Sequence, residues 1–365
     1  MEKLAVHFGG GALGRGLVVP LLEQSGYEVV LVDVNDALLE RVRADKGYDI
    51  CLTDAEGGLR TAHVGMLDAI SSVHDVDTLR GYLGRASIVT TAVRRENLRH
   101  VARSLVADAT EESVGKPVVC AENVEHAGEL FGRCLRECAT TERQTACAES
   151  IVAPSTMVDR ICSATWPEGT LVNTETFHEL LVDSKVMPQT GVELIGVTDS
   201  IDAAFARKRL LLNTFADASS FLGMQKGLSY LHEAIVDEEV QGELAPYLAM
   251  FDTLLERKYG YRADELASWR ERYRTRLSNP LILRDISTVA RDLWRKLGVE
   301  ERFAWPLLEL LDMGVDVEPG VAVLVDLIGK SAGEPAGDIS RRLEETWGGD
   351  ERGRRLLEIA ERHFA

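Results

Sequence analysis

A glycine-rich turn near the N-terminus constrains the fold of this 365-residue chain more than any other feature. The segment LAVHFGGGALGRG has Gly9, Gly11 and Gly14 in G-x-G-x-x-G order, directly after a predicted strand and at the start of a predicted helix. The first two glycines let the chain turn tightly and its backbone approach a diphosphate, and the third lets the helix pack closely on the strand. The helix N-terminus adds free N–H groups and a positive dipole end. The pattern predicts a dinucleotide site formed by Gly9, Gly11, Ala12, Leu13 and Gly14.

An acidic residue follows at the spacing that such a site requires. The second predicted strand ends at Asp33, nineteen residues after Gly14, where a carboxylate can accept hydrogen bonds from the ribose hydroxyls of an adenosine. Residues 34–36 are Val, Asn and Asp, and none of them could bind the 2′-phosphate of NADP. The sequence therefore favours NAD as the cofactor. A glycine-rich turn with an unrelated surface aspartate is the simpler alternative.

The order of the predicted elements indicates two domains. The first half alternates β-branched runs with helical patterns, and from about Ile201 the strand signal gives way to apolar residues at helical spacing. We predict an α/β fold: a Rossmann-type doubly wound parallel sheet at 1–190, followed by a mostly α-helical C-terminal domain at 191–365. Pro20 is expected to kink the first helix. The predicted strands are Leu4–Phe8, Glu28–Asp33, Ala86–Thr91, Pro117–Ala121 and Thr145–Val152. The predicted helices include Leu17–Gln24, Ala37–Ala44, Ile201–Leu222, Ala245–Lys258, Ala263–Thr275 and Val321–Ile328.

Charge and cysteine content narrow the possible partners. A formal net charge of −18 disfavours nucleic acid, and no apolar run is long enough for a membrane span, so we expect a cytoplasmic protein with a small-molecule substrate, as a monomer or dimer. The six cysteines show no disulfide spacing. Cys134 and Cys138 are four residues apart and downstream of His126, which leaves a metal site open, but buried free thiols are the simpler interpretation. We predict no bound metal.

Eight motifs resemble those of the polyol-specific long-chain dehydrogenases, the mannitol dehydrogenase family, across roughly residues 3–330. The resemblance implies oxidation of a sugar alcohol with NAD and without a metal. It also implies that Thr91, Ala92 and Asn123 contact the cofactor. The motifs are HFGGGALGRG (7–16), LVDVN (31–35), TTAV (90–93), CAENV (120–124), VDR (158–160), ETFHELLVD (175–183), ARKRLLLNT (206–214) and RKL (295–297).

The catalytic core of that family resembles K-x4-N-x2-H on a C-terminal helix, with a further asparagine after a Rossmann strand. Lys208 and Asn213 match the first two positions and Asn123 matches the last. The resemblance assigns Lys208 as the general base, with the two asparagines holding the substrate oxygen, and burial would favour the neutral lysine that this chemistry needs. At 3.6 residues per turn, Lys208 and Asn213 should lie about 140° apart around the helix. A solvated helix face is the alternative for Lys208, because ARKR is a basic run.

Two departures from the family leave the substrate open. Ala216, followed by Asp217, stands where the family has histidine, and Arg94 stands where it usually has glycine. Arg94 could bind an anion or point to solvent. We expect a dehydrogenase for a phosphorylated or acidic sugar alcohol, with an uronate or aldonate reductase of the same superfamily, or an NAD-binding protein without catalysis, as alternatives. Candidate substrate residues are Arg94, Arg160, Asp183, Asp217 and Arg295, with Arg291 and Lys296 as further basic residues that could meet a phosphate.

Overall fold

The computed structural model describes residues 3–107 and 115–363. The chain forms two compact units, one that ends at Ala204 and one that begins at Phe205. All twelve strands that the described residues form lie in the first unit. They are β1 Leu4–Phe8, β2 Glu28–Asp33, β3 Gly47–Thr53, β4 Leu59–Gly65, β5 Asp68–Ser71, β6 Ile88–Thr91, β7 Val118–Cys120, β8 Thr156–Asp159, β9 Cys162–Ala164, β10 Val172–Glu175, β11 Glu179–Asp183 and β12 Gly196–Thr198.

The main sheet of the first unit has the predicted Rossmann arrangement. Its five strands are all parallel, in the order β5-β2-β1-β6-β7. The strand order reverses between β1 and β6, and in open α/β sheets ligands bind beyond the carboxyl ends of the strands at such a switch point. The residues that follow β1 and β6, including the glycine turn, therefore lie at the edge where a dinucleotide would be expected.

The strands are buried because helices cover both faces of this sheet. Alternate residues of β1 enter different cores: Ala5 packs with Leu31 on one face, whereas Val6 packs with Val30 on the other. This accounts for the nearly continuous apolar strand sequences. The helices of the first unit are α1 Val19–Gln24, α2 Asp36–Ala44, α3 Val76–Arg85, α4 Leu98–Ala107, α5 Ala127–Cys138 and α6 Glu142–Ser150.

The predicted strand Thr145–Val152 is wrong, because residues 142–150 form helix α6. Thr141 caps this helix, and its hydroxyl accepts a hydrogen bond from the Gln144 backbone N–H at 3.3 Å. Only Val152 joins the sheet, through an isolated parallel bridge to Pro117. The β-branched residues of this segment suggested a strand, but the Thr-x-x-Gln pattern at 141–144 is a helix-capping signal that outweighs them.

Pro20 lies directly after a local change of helix type, and the kink expected there stays a prediction. Residues Gly14–Val18 form a π-helical turn that continues without a break into α1, and Pro20 is the second residue of α1. The helix that begins at the glycine turn is therefore wider at its start than an α-helix.

The first unit also contains two small sheets whose strands are not among the predicted strands. Their strand orders are β4-β3-β10-β9 and β12-β11-β8. Strands β3 and β4 form an antiparallel hairpin whose turn is held by Asp54, which accepts a hydrogen bond from the Gly58 N–H at 2.6 Å. A glycine- and acid-rich turn between two strand-like runs was the available signal.

The second unit is helical, as predicted, and its helices contain each of the long helical segments that the sequence indicated. Among the described residues, no helix is both long and apolar enough to cross a membrane. The predicted domain boundary at residue 190 stays a prediction. From Ile201 onward the helices are α7 Ile201–Lys208, α8 Phe215–Gln225, α9 Leu231–Val236, α10 Glu238–Tyr259, α11 Ala263–Leu277, α12 Ile286–Val289, α13 Leu293–Lys296, α14 Trp305–Asp312, α15 Glu318–Ser331, α16 Ala336–Trp347 and α17 Glu351–Ala360.

Candidate functional site

The three glycines of the turn have different neighbours. A Cβ on Gly9, whose φ is +112°, would lie 2.3 Å from the Ala92 carbonyl oxygen, and a Cβ on Gly14 would lie 2.0 Å from the carbonyl oxygen of Gly9. In contrast, no atom of the described residues lies within 4 Å of a Cβ built on Gly11. The fold itself therefore requires glycine at positions 9 and 14. The space beside Gly11 is free for a ligand.

A buried histidine supports this turn from inside the sheet. His7, which is fully buried in β1, donates from Nε2 to the Gly9 carbonyl at 3.1 Å and accepts at Nδ1 from the Thr90 hydroxyl at 2.8 Å. Because a carbonyl can only accept, Nε2 carries the proton of a neutral ring. Burial lowers the pKa of His7 from 6.5 to about 4, in spite of the hydrogen bond to Gly9. His7 is thus a satisfied structural side chain.

Arg15 is a second buried support that the sequence analysis did not single out. Its side chain is almost wholly buried, and Nε donates to the Gly10 carbonyl at 2.6 Å. A further guanidinium nitrogen donates to the Thr170 carbonyl, and the guanidinium lies 5.4 Å from the centre of the Tyr48 ring. Arg15 therefore holds the turn through Gly10 and does not line the cavity described below. Its place inside the glycine motif was the available signal.

Asp33 is held at the end of β2 by backbone donors. Its Oδ1 accepts hydrogen bonds from the N–H groups of Val34 and Asn35 at 2.8 and 2.9 Å, and its Oδ2 accepts one from Gly10 at 2.5 Å. A carboxylate oxygen can accept two hydrogen bonds, so Oδ2 retains capacity for a ribose hydroxyl. The contact of Asp33 with a ribose stays a prediction.

A cavity of about 690 Å³ joins the glycine turn to Asp33. Val34 and Val73 line it although their residues are 70% and 59% exposed, and such apolar side chains suit a flat aromatic base. The open position beside Gly11 lies in the same cavity. The residues present therefore fit the adenosine and diphosphate parts of a dinucleotide. The predicted site residues that line the cavity are Gly9, Gly11, Asp33, Ala92 and Arg94.

The segment after β7 adds a buried carboxylate beside the loop that follows β6. Glu122 accepts hydrogen bonds from the Thr91 hydroxyl at 2.8 Å and from the Val93 N–H at 2.9 Å. Burial raises the pKa of Glu122, and the hydrogen bonds from Val93 and Thr91 oppose the shift. Thr91, which the resemblance assigned to the cofactor, is fully buried and bonded to Glu122, while the neighbouring Asn123 is exposed. The sequence analysis overlooked Glu122, although it is an isolated acid at the end of the apolar run VVCA.

Lys208 and Asn213 are related by a π-helical turn, so the expected separation of about 140° is wrong. Residues Arg209–Thr214 form the π segment, with Lys208 at its N-terminal cap, and the Phe215 N–H donates to the carbonyl of Leu210, five residues back. Residues five apart lie above one another in such a turn. Lys208 and Asn213 therefore share one side of the helix. Lys208 is only 6% exposed, which does not fit a solvated helix face.

The residues after the π segment form a buried ion cluster. The Asp217 carboxylate lies 3.1 Å from Lys296 Nζ and 2.8 Å from an Arg302 nitrogen. Lys296 is 4% exposed and also donates to the Val289 carbonyl at 2.7 Å. Burial lowers the pKa of Lys296, and Asp217 opposes that shift. Ala216, which stands at the family's histidine position, is buried and directly precedes Asp217 in the sequence.

The remaining substrate candidates have protein partners of their own. Arg160 donates to the carbonyl groups of Glu175 and Gly16 at 2.8 and 2.9 Å. Asp183 accepts from the Lys185 N–H at 3.0 Å at the end of β11, and Arg295 lies 3.2 Å from Glu301 in an ion pair. Their substrate contacts stay predictions.

No cluster of three or more potential metal ligands occurs within residues 3–107 and 115–363. The cysteine pair therefore lacks further ligands among the described residues. Both Cys134 and Cys138 are free thiols of intermediate exposure, and burial raises the pKa of Cys134. The expectation that the protein binds no metal stays a prediction.

The parallel sheet, the glycine turn and the acid that ends β2 define a dinucleotide-binding protein of the Rossmann class with a helical second domain. Two family models match the chain: the mannitol dehydrogenase Rossmann domain at residues 3–196 and the mannitol dehydrogenase C-terminal domain at residues 200–328. The chain belongs to the mannitol dehydrogenase family. The resemblance predicted from the motifs is therefore confirmed.

Two relatives of similar length are both mannitol-1-phosphate 5-dehydrogenases by name. The mannitol-1-phosphate 5-dehydrogenase of Coccidioides immitis is 30% identical over 324 residues, which cover 87% of this chain and 83% of that protein. The enzyme of the same name from Lactiplantibacillus plantarum is 29% identical over 336 residues, which cover 90% and 86%. The likeness thus extends over both domains.

Solved structures show the same fold. A substrate-free D-sorbitol dehydrogenase superposes with a TM-score of 0.77 at 16% identity, covering 100% of this chain and 94% of that one. Pseudomonas fluorescens mannitol 2-dehydrogenase, solved with NAD and D-mannitol, superposes with a TM-score of 0.74 at 15% identity, covering 100% and 91%. The predicted fold class is confirmed.

Proposed function

We propose that this protein is an NAD-dependent dehydrogenase that interconverts a phosphorylated sugar alcohol, resembling mannitol 1-phosphate, and the corresponding carbonyl sugar. The observation that carries the proposal is the match to both domains of the family, with relatives named mannitol-1-phosphate 5-dehydrogenase at about 30% identity. The cavity that joins the glycine turn to Asp33 supports it independently. The substrate is taken from those relatives.

The cofactor role falls to residues of the first unit. Backbone N–H groups at Gly11, Ala12 and Leu13 would hold the diphosphate, because the open space beside Gly11 and the helix start coincide there. Asp33 would accept hydrogen bonds from the adenosine ribose and repel the 2′-phosphate of NADP. When bound, NAD supplies the hydride acceptor for oxidation of the alcohol.

The chemistry on the substrate side falls to three residues. Lys208 would remove the hydroxyl proton as general base, and Asn123 and Asn213 would donate amide N–H groups to the substrate oxygen. Lys208 is only 6% exposed, so it does not lie on a solvated helix face, and this supports a role inside a site. The π-helical turn supports it too, since it brings Lys208 and Asn213 to one side of the helix and such turns are frequent at functional sites.

Arginines are the proposed ligands of the substrate phosphate. Arg295 has a side chain that is 54% exposed, with a single ion pair to Glu301, so most of its donors remain available. Arg160 has two of its donors on backbone carbonyls. We propose Asp183 and Asp217 as acceptors for substrate hydroxyl groups. Because both Asp217 oxygens are in ion pairs, such a contact would share an oxygen with Lys296 or Arg302.

A second candidate function is NAD binding without catalysis. The specific observation in its favour is Ala216, which replaces the histidine of the family motif with a side chain that cannot transfer a proton or bind a hydroxyl group. Such a protein would keep the cofactor cavity and lose turnover.

The decisive experiment measures the formation of NADH or NADPH by the purified protein with a panel of substrates. The panel contains mannitol 1-phosphate, mannitol and an aldonate, each tested with NAD and with NADP, and with and without a chelator. We expect the highest kcat/KM with mannitol 1-phosphate and NAD, and no effect of the chelator. Calorimetric NAD binding without turnover on any substrate would favour the second candidate. Preferential turnover of the aldonate would indicate the reductase alternative.

A further inference from the structure

The backbone of Arg94 has a conformation that favours glycine. Its φ is +72° and its ψ is 154°, a region that side chains other than glycine enter only with strain. The family usually has glycine here, so this chain keeps the backbone conformation and adds a long cationic side chain. We propose that Arg94 binds the diphosphate group of NAD. The inference rests on the proposed NAD-dependent function and reassigns Arg94 from substrate to cofactor.

The surrounding loop holds Arg94 in this conformation from both sides. The preceding residue, Val93, donates its N–H to Glu122 at 2.9 Å, and its carbonyl accepts a hydrogen bond from the Asn97 side-chain amide at 2.8 Å. On the other side, the Asn97 N–H donates to the Arg94 carbonyl at 3.1 Å and begins the turn that leads into α4. Strain of this kind persists only where neighbouring bonds over-determine the chain.

The cavity around Arg94 is the one that contains the glycine turn. Arg94 lines it together with Gly9, Gly11 and Asp33, and the residue is exposed. Within the part of the chain that the structure describes, the Arg94 side chain has no hydrogen-bond or ion-pair partner. An arginine that is paired with nothing beside a backbone site for an anion is placed to form a bidentate contact with phosphate oxygens.

The neighbours of Arg94 favour the cofactor over a substrate anion. Every glycine and acid that it shares the cavity with belongs to the dinucleotide motif at β1 and β2. Asp33, the acid of that motif, has its two oxygens on backbone N–H groups and does not pair with Arg94. The guanidinium is therefore left available for a ligand that already touches Gly11.

The test compares three variants of the full-length protein by isothermal calorimetry and thermal unfolding. Arg94→Gly removes the side chain and the backbone strain, whereas Arg94→Ala removes only the side chain. Arg95→Gly is the control, because it makes the same exchange at the next residue, which is exposed and does not line the cavity. Binding is measured with NAD and ADP-ribose, which carry the diphosphate, and by competition with adenosine, which does not.

We expect both Arg94 variants to bind NAD and ADP-ribose about 10- to 100-fold more weakly, because charge-assisted hydrogen bonds to the diphosphate are lost. Their affinity for adenosine should be unchanged. Arg94→Gly alone should raise the thermal midpoint of the cofactor-free protein, by about 2 °C, whereas Arg95→Gly should lower it and leave binding unchanged. Equal NAD affinity of the wild type and both Arg94 variants would overturn the assignment while leaving the proposed function intact. Failure of the wild type to bind NAD would overturn both.

Discussion

The Oδ2 atom of Asp33 accepts a hydrogen bond from the backbone N–H of Gly10 at 2.5 Å, so the acid that ends β2 also fixes the glycine turn after β1. The two parts of the cofactor motif are thus one structural unit. A substitution at Asp33 should act on the shape of the turn as well as on cofactor choice.

Asp33→Asn should therefore narrow the preference for NAD over NADP and also weaken the binding of NAD. The amide removes the charge that repels a 2′-phosphate, and when its oxygen accepts the two hydrogen bonds from Val34 and Asn35, its NH₂ group cannot accept the one from Gly10. We expect a loss of about 1–2 kcal/mol in the free energy of unfolding from the unpaired Gly10 donor. Calorimetry with both cofactors and urea unfolding measure the two effects. An unchanged ratio of NAD to NADP affinity would contradict the assignment of Asp33.

Alanine substitutions at Gly11 and Gly14 should separate binding from folding. The Cβ of Gly11→Ala meets open space in the unliganded protein, so stability should be preserved while the methyl group obstructs the diphosphate and weakens NAD about 10-fold or more. The Cβ of Gly14→Ala would lie 2.0 Å from the Gly9 carbonyl and should cost about 3 kcal/mol of stability. Thermal unfolding and NAD titration of both variants check this, and destabilisation by Gly11→Ala would show that the space is not open.

Lys208→Ala should lower kcat by about 10²- to 10⁴-fold, the usual contribution of a general base, with little change in NAD affinity. Lys226→Ala, at the C-terminal end of α8 and outside the proposed site, is the matched control and should retain kcat. Turnover by both variants is measured on the substrate that the panel identifies. If Lys208→Ala keeps nearly full turnover, Lys208 is a structural residue of the helix.

His7 should make stability depend on pH. The pKa of His7 falls from 6.5 to about 4 on folding. Between these pH values the ring is protonated in the unfolded chain and neutral in the native protein. The stabilisation is complete above pH 6.5 and is lost as the pH falls from 6.5 towards 4, by about 3 kcal/mol in total. His7→Gln, which keeps a donor for the Gly9 carbonyl, should flatten this part of the profile. Parallel profiles for both proteins in denaturant titrations would exclude His7 as the cause.

The buried cluster gives a test of Asp217 that distinguishes structure from substrate binding. Asp217→Ala leaves Lys296 buried without its carboxylate partner and should cost about 3–5 kcal/mol. Adding Lys296→Met should recover much of that loss, because the unpaired charge is gone. An increase in KM beyond the effect on stability would support the substrate contact. Unchanged stability of Asp217→Ala would show that the ion pairs contribute little.

Most features that a local sequence pattern specifies were predictable, whereas features that depend on packing were not. The glycine turn and Asp33 follow from residue type and spacing, and the Rossmann sheet follows from the alternation of strands and helices. The β-branched residues near 145–152 predicted a strand, but the capping hydrogen bond at Thr141 begins a helix at residue 142. The positive φ of Arg94 was not predicted, although the family's glycine at this position was the available signal, and hydrogen bonds of the neighbouring Val93 to Glu122 and Asn97 hold it.

The π-helical turn at Arg209–Thr214 amounts to one extra residue threaded into an otherwise continuous α-helix. If this segment wound as a regular α-helix without losing a residue, every side chain after it would rotate by about 100° relative to Lys208. Lys208 would keep its place while Asn213, Ala216 and Asp217 turned away from it together. The extra residue therefore makes the five-residue spacing of Lys208 and Asn213 compatible with one side of the helix, and a change that straightened the π turn without deleting a residue would separate the two parts of the proposed catalytic motif.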